Sequence, residues 1–357
     1  MKGVNSYINI EQNSEIALNA NESYVGMGND VLMKIKSALD EVDLNRYPED
    51  SSREIKKAYA KYAEVSEKNI IVGHGSDEML GLIIASTITE GKKLLTLSPD
   101  FSMYDYYVSM NGGEVVKYKT ETDGSFKVED FIELGKKENV DLVMFSNPNN
   151  PTGYALNCEE MVKILEAFED KYVVVDEAYY EFNGETMMPY INEYENLLVT
   201  RTLSKAWGLA ALRVGFLLSN EGVIEKFNKY KVPYNVNSLS QTVATIVVEK
   251  PEIVKRNIEL IVEGREFLYK ELKKIEEEAS LKVEFYKSKA NYIFGRTPYK
   301  EALLKKLKAN GIIIRNFNDD SFRVSVGSPF ENKKLIENFK EVFIYGGKEK
   351  WQIEVLA

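Results

Sequence analysis

One lysine stands apart from the other cations of this chain. Lys205 lies in "VTRTLSKAWGLAALRVG" (199–215), among small and apolar residues, and the next charge after it is Arg213. An ammonium in such a setting loses hydration, which lowers its pKa toward nucleophilic use, as Schiff-base chemistry with a carbonyl compound requires. The hydroxyls of Thr202 and Ser204 and the guanidinium of Arg213 are spaced to hold a phosphate beside it. The plain alternative is a lysine on a solvated loop.

Three other stretches supply parts that match. "IVGHGSDEML" (71–80) runs from an apolar strand through Gly-x-Gly into a helix starting near Ser76, whose free backbone N–H groups suit a phosphate. Glu78 stands where a dinucleotide fingerprint has its third glycine, and a tight turn capped by Ser76 or Asp77 explains the same letters. "YVVVDEAYYEF" (172–182) ends a buried strand on Asp176, a carboxylate that could pair with a cationic ring nitrogen or cap the next turn. A nucleotide-hydrolase metal strand has a similar pattern, but no G-x-x-x-x-G-K-[ST] loop occurs in the chain. In "FSNPNNPTGYALN" (145–157) the Asn, Pro and Gly density makes a rigid turn, from which Asn150 could present its amide to a ligand.

Composition narrows the chemistry. One histidine, His74, and one cysteine, Cys158, leave zinc sites and Ser-His or Cys-His triads almost without parts. A lysine, tyrosines, carboxylates or a bound cofactor must then carry any catalysis. A net charge of −10 argues against nucleic acid or an anionic membrane as partner. The single cysteine fits a reducing cytoplasm, the polar start "MKGVNSYINIEQNSE" lacks a signal-peptide core, and "GLIIASTI" (81–88) is far too short to span a bilayer. Nine arginines stand against thirty-seven lysines, so an arginine here marks a place where a planar fork matters; Arg46, Arg201, Arg213, Arg315 and Arg323 fall in the stretches that draw notice.

Elements able to position these residues follow from periodicity. Strand-like runs occur at 69–73, 93–98, 114–119, 141–146, 172–176, 197–201 and 214–219. Helical stretches lie between several of them, at 76–86 and at 157–170, where Asn157 and Glu160 form a capping-box pattern. Near-continuous apolar strands alternating with helices predict an α/β fold with a mostly parallel sheet sandwiched by helices, with ligands beyond the strands' carboxyl ends. From about 238 to 278 the pattern is a long charged helix. Four strand-like segments and helices at about 298–310 and 331–345 then predict a smaller α+β domain.

Lysine, phosphate-type helix start, strand-end Asp, hydroxyl pair and arginine are together the parts of a pyridoxal phosphate site. In family order, "LNANESYVG" (18–26), "NRYPED" (45–50), "GHGSDE", "SNPNNPTG", "VDEAYYEF", "RTLSKAWGLAALRVGF", "GIIIR" and "FRVSVGSPFENKKLI" resemble the fold-type I pyridoxal-phosphate aminotransferases. "LNANE", "NRYP" and the short gap from Arg315 to Arg323 are similar to the histidinol-phosphate group among them. The resemblance implies a large domain over 30–260 and a discontinuous small domain over 1–29 and 261–357. It implies that Lys205 bonds the cofactor and shuttles the substrate's proton, that Asp176 pairs with the ring N–H, and that Tyr179 and Asn150 bond the ring oxygen. Phe101 would stack on the ring. Gly75, Ser76, Asp77, Thr202, Ser204 and Arg213 would hold the phosphate, with Tyr47 reaching it from the partner of a homodimer with shared sites. Arg323 would bind the carboxylate of glutamate or a substrate phosphate, with Arg315, Asn291 and Tyr24 lining the substrate pocket. The implied reaction moves an amino group between histidinol phosphate and 2-oxoglutarate. Aromatic-amino-acid transamination and threonine-phosphate decarboxylation are the alternatives. Trp207 and His74 depart from the family's usual residues, Phe and Arg or Asn.

Overall fold

A computed structural model describes residues 15–346; the polar N-terminal arm before Glu15 lies outside the described residues. The strands are β1 (Ile16–Leu18), β2 (Ile70–Gly73), β3 (Lys93–Ser98), β4 (Glu114–Lys119), β5 (Leu142–Ser146), β6 (Tyr172–Asp176), β7 (Leu197–Thr202), β8 (Gly215–Leu218), β9 (Glu284–Tyr286), β10 (Tyr292–Arg296), β11 (Ile312–Asn316) and β12 (Ser321–Ser325). Seven of them form one sheet in the order β2-β8-β7-β6-β5-β3-β4. Its pairs are parallel except those made by β8, which runs antiparallel to both β2 and β7. Strands β5, β6 and β7 lie in the middle of that order, so apolar side chains face helices on both sides. All seven match the apolar runs of the sequence to within a residue or so at each end.

Helices α1 (Asn29–Leu39), α2 (Arg53–Ala63), α3 (Gly75–Thr87), α4 (Met103–Met110), α5 (Val128–Glu138), α6 (Cys158–Ala167), α7 (Glu221–Asn228) and α8 (Ser238–Val248) surround the large sheet. Asn157 caps α6 as its sequence predicts, with the Asn157 side chain accepting from Glu160 N–H and the Glu160 side chain accepting in return. The helix expected over 238–278 is interrupted: α8 ends at Val248 and α9 (Pro251–Glu278) begins at Pro251. Proline lacks the N–H that a continuous helix needs and is tolerated at a first turn, so it starts a new helix here.

The second sheet has the order β1-β11-β12-β10-β9 and packs with α9, α10 (Lys300–Ala309) and α11 (Pro329–Lys340). Helix α9 joins the two cores. Val254 and Ile261 pack in the large core, whereas Leu268, Leu272 and Ile275 pack in the smaller one. The sequence reading had no strand at Ile16–Leu18, which is too short for a periodic signal and is held by parallel pairing to β11.

Candidate active site

A cavity of about 690 Å³ opens where β3, β5, β6 and β7 end, facing the smaller sheet. It gathers most of the residues that the sequence singled out: Ser76, Asp77, Phe101, Asn150, Asp176, Tyr179, Thr202, Ser204, Lys205, Arg213, Arg315 and Arg323. Lys205 is half-buried, and its Nζ donates to Ala20 O at 3.0 Å and lies 5.7 Å from the Tyr179 ring centroid.

Asp176 ends β6 almost fully buried, its Oδ2 accepting from Tyr104 O–H and its Oδ1 from Thr200 O–H, each at 3.0 Å. Burial pushes its carboxyl up to about 6 against those two donors, which favour the charged form. Tyr104 and Thr200 escaped the sequence reading. Their signals, a tyrosine on a helix and a threonine in an apolar strand, are shared with many core residues.

The phosphate-type features converge at the other end. Helix α3 begins at Gly75, a residue earlier than expected, with His74 in the cap position and exposed. Neither Ser76 nor Asp77 caps it, so both side chains are left to the cavity. Arg213 adopts a left-handed backbone (φ 52°), unusual for a long side chain, and this turns its guanidinium between two partners. Nη1 donates to Ser204 Oγ at 3.2 Å and Nη2 to Asp77 Oδ2 at 3.0 Å, while Thr202 donates to Ser204 Oγ at 3.0 Å. Two glycines permit this closeness. A Cβ at Gly75 (φ +78°) would stand 2.8 Å from Arg213 Nη2, and one at Gly215 would stand 2.2 Å from Ser76 N.

The opposite wall comes from the smaller sheet and the chain's first described segment. Arg323 donates through Nη1 to Asn150 Oδ1 and through Nη2 to Asn19 O at 2.9 Å, with its Cζ 5.0 Å from the Tyr292 ring centroid. Arg315 sits on β11 directly across from Arg323. Asn21 donates to the Tyr179 hydroxyl at 2.9 Å and is itself held by Ser325 and Asn291. "LNANE" therefore positions three cavity residues, Arg323, Lys205 and Tyr179, a role its letters did not disclose.

Besides Gly75, which lies behind Ser76 at the helix start, three expected residues lie off the cavity. Asn291 is buried behind it, donating to Asn21 O at 3.0 Å. Tyr24 donates to Leu260 O at 3.4 Å. Tyr47 is 83% exposed and stacks on Tyr234 with ring centroids 4.9 Å apart. Trp207 also turns away: it is fully buried against Tyr62, at 4.9 Å and edge-on, in the large core.

The chemistry of the donors tests whether pyridoxal phosphate fits. Hydroxyls, an arginine and helix-start N–H groups at one end suit its phosphate. A buried carboxylate with only neutral donors at the other suits a protonated ring nitrogen, and an amine between them suits its aldehyde. The residues fit the group.

A lysine, a strand-end carboxylate and a phosphate cradle on a seven-stranded, mostly parallel sheet define an aminotransferase architecture. The family model for aminotransferase class I and II matches residues 13–339, and the chain belongs to that family. It is 38% identical to the histidinol-phosphate aminotransferase of Clostridium novyi over 330 residues, 91% of each chain. It is 37% identical to the one from Clostridium kluyveri over 332 residues, 92% of this chain and 93% of the other. Among solved structures it resembles the histidinol-phosphate aminotransferase of Sinorhizobium meliloti in complex with pyridoxal-5'-phosphate, with a TM-score of 0.83, 25% identity and 92% of each chain covered.

Proposed function

We propose that this aminotransferase uses pyridoxal phosphate to move an amino group between histidinol phosphate and 2-oxoglutarate, giving imidazole acetol phosphate and glutamate. The observation that carries the reading is Lys205 Nζ in one cavity with Asp176, the Thr202–Ser204–Arg213 cradle and two arginines. The names of the relatives supply the substrate. When bound, the cofactor supplies an electron sink for the carbanion at the donor's α-carbon.

The chain's own residues do the rest. Lys205 would hold the aldehyde and, once the donor amine takes its place, would accept the donor's α-proton on Nζ and deliver it to the cofactor's aldehyde carbon, C4′. Asp176 supplies the anion that keeps the ring nitrogen protonated. Asn21 donates to the Tyr179 oxygen, which leaves the Tyr179 O–H to donate to the ring oxygen, and Asn150 lines the same cavity. Phe101 would pack over the ring. Ser76, Asp77, Thr202, Ser204 and Arg213 bind the phosphate, over Gly75. Arg323 takes the donor's carboxylate or phosphate, with Arg315 across from it, and Asn291 acts through Asn21.

We also assign a cytoplasmic homodimer, with a large domain over 30–260 and a small domain formed by 1–29 and 261–357. Exposed Tyr47, Leu44, Tyr230, Val232 and Tyr234 support a covered face from which Tyr47 enters the partner's cavity. Among the described residues no helix is long and apolar enough to cross a membrane.

The deciding experiment compares purified protein on histidinol phosphate, phenylalanine and tyrosine with 2-oxoglutarate as acceptor. Highest kcat/KM for histidinol phosphate is expected. Preference for the aromatic amino acids, or release of carbon dioxide from threonine phosphate without an acceptor, overturns the substrate. A protein with no visible band removable by borohydride overturns the cofactor. Sedimentation giving a monomer overturns the dimer.

A further inference from the structure

At the end of β3 a further carboxylate, Asp100, lines the cavity, and the reaction as described does not use it. Four donors converge on Asp100. Phe101 N–H reaches Oδ1 at 2.8 Å, beside the Ser146 hydroxyl, while Ser146 N–H reaches Oδ2 at 3.2 Å and Thr96 Oγ1 at 3.5 Å. These donors come from two neighbouring strands and from the loop that carries Phe101. The chain of bonds continues. Ser146 Oγ, having given its proton to Asp100, accepts Asn150 N–H at 2.9 Å, and Asn150 Oδ1 accepts from Arg323.

We propose that Asp100 is a positioning residue that couples the Phe101 wall of the cavity to Arg323, through Phe101 N–H on one side and through Ser146 and Asn150 on the other. The inference rests on the cavity being a pyridoxal phosphate and amino-donor site. It goes beyond that reading by making the ring face and the substrate anchor parts of one hydrogen-bonded unit. A carboxylate is the suitable hub because both oxygens accept and neither must donate. An amide at this position has one acceptor oxygen and would turn an N–H₂ toward backbone or hydroxyl donors, leaving at least one buried donor unpaired. Burial and the charge of Asp176 push the Asp100 carboxyl up to about 8 against the Ser146 hydroxyl and the Phe101 and Ser146 N–H groups, so the all-acceptor form of the hub is the one present above about pH 8.

Two readouts separate the two arms: pyridoxal phosphate affinity of the cofactor-free protein by absorbance titration, and KM against kcat for glutamate in the holoenzyme. Asp100→Ala is expected to weaken cofactor affinity and raise glutamate KM, each about ten-fold, the scale of losing a charge-assisted bond. Ser146→Ala cuts only the Arg323 arm, so glutamate KM rises about ten-fold while cofactor affinity stays within about two-fold. The double variant should have the KM of Asp100→Ala, because both changes break one path. Unchanged KM in Ser146→Ala, or a double variant showing the product of the single effects, overturns the proposal. If Asp100→Ala does not fold by thermal melt, the cycle of Ser146→Ala with Arg323→Lys decides, non-additive KM effects being expected and additive ones overturning. A wild-type protein lacking both the visible band and glutamate turnover would instead overturn the function proposed above.

Discussion

Two sides of the same short strand end make a useful contrast. On β6 and β7 and the loops after them, neighbouring residues go to different environments. Asp176, Tyr179, Thr202, Ser204 and Lys205 line the cavity. Glu177, Tyr180, Arg201 and Trp207 enter a closed, buried cluster with Tyr59, Tyr62 and Glu181. In that cluster Arg201 Nε bonds Glu177 Oε2 at 2.9 Å, Nη2 bonds Thr186 Oγ1 at 2.6 Å, and its Cζ lies 3.7 Å from the Tyr180 ring centroid. Glu177 also accepts Met187 N–H at 2.6 Å and Thr186 O–H at 2.9 Å. Its charges are answered by protein. Asp176, one residue earlier, has only neutral donors, which is what a cationic ligand requires. Strand alternation thus builds a reactive wall and its rigid backing from adjacent residues.

The contrast predicts a split between activity and stability. Lys205→Ala should lower turnover by about 10⁴-fold or more and remove the borohydride-sensitive band, with little change in melting temperature. Retained full activity would move the chemistry elsewhere. Asp176→Asn should lower turnover by on the order of 10²- to 10³-fold, since an amide cannot hold the ring proton by charge. Single-turnover kinetics with glutamate would measure it.

Glu177→Gln tests the backing. Removing one partner of a buried ion pair leaves Arg201 uncompensated, a loss of roughly 3–5 kcal/mol in unfolding free energy. The protein that remains folded should keep turnover within about two-fold of wild type, well short of the general acid–base losses predicted for Lys205. Denaturant unfolding and active-site titration together check both halves. A large loss of turnover per folded molecule would mean that the cluster and the cavity act as one.

Much of this division was hidden in the sequence. The seven strands were legible because buried strands are continuous apolar runs, and Lys205, Asp176 and Arg213 because polar residues at strand ends in such runs are rare. Glu177 and Tyr180 looked equivalent to Asp176 and Tyr179, because a letter does not say which way a side chain leaves a turn. The direction of β8 was equally silent, since periodicity carries no orientation. Asp100 and Ser146 drew no functional notice in the sequence, because their long-range bonds show only in three dimensions. The scarcity of arginine did point to a planar role for Arg201, in the backing rather than in the cavity.

Glu181 sharpens the contrast through pH. Both its oxygens are buried with no hydrogen-bond partner among the described residues, and burial pushes its carboxyl up to about 8. A carboxyl raised in the folded state favours folding when protonated. Its contribution is therefore present below the unfolded value near 4.5 and is lost as pH rises toward about 8. Asp176 and Asp100 act with the same sign, so the informative quantity is the difference between variants. Glu181→Gln should flatten the fall in melting temperature between about pH 5 and about pH 8. An unchanged slope would place Glu181 in contact with water.

The smallest effect is expected at Trp207, next but one to the lysine. Its indole N–H has no hydrogen-bond partner among the described residues, yet it lies close enough to Glu181 to favour that carboxylate's charged form. Trp207→Phe removes an unpaired buried donor, a gain of about 1–3 kcal/mol, and loses ring volume and edge-on packing against Tyr62, a loss of similar size. The two nearly cancel, so stability at about pH 5 should change by less than about 1 kcal/mol. At alkaline pH the cancellation fails, because the charged Glu181 has lost its one favourable neighbour dipole; the variant should melt measurably earlier there than wild type. The cofactor band and the order of donor preference should not move, since the indole points into the backing and not into the cavity. A shifted band would mean that the two faces of this loop communicate, and the contrast between reactive wall and inert backing would have to be given up.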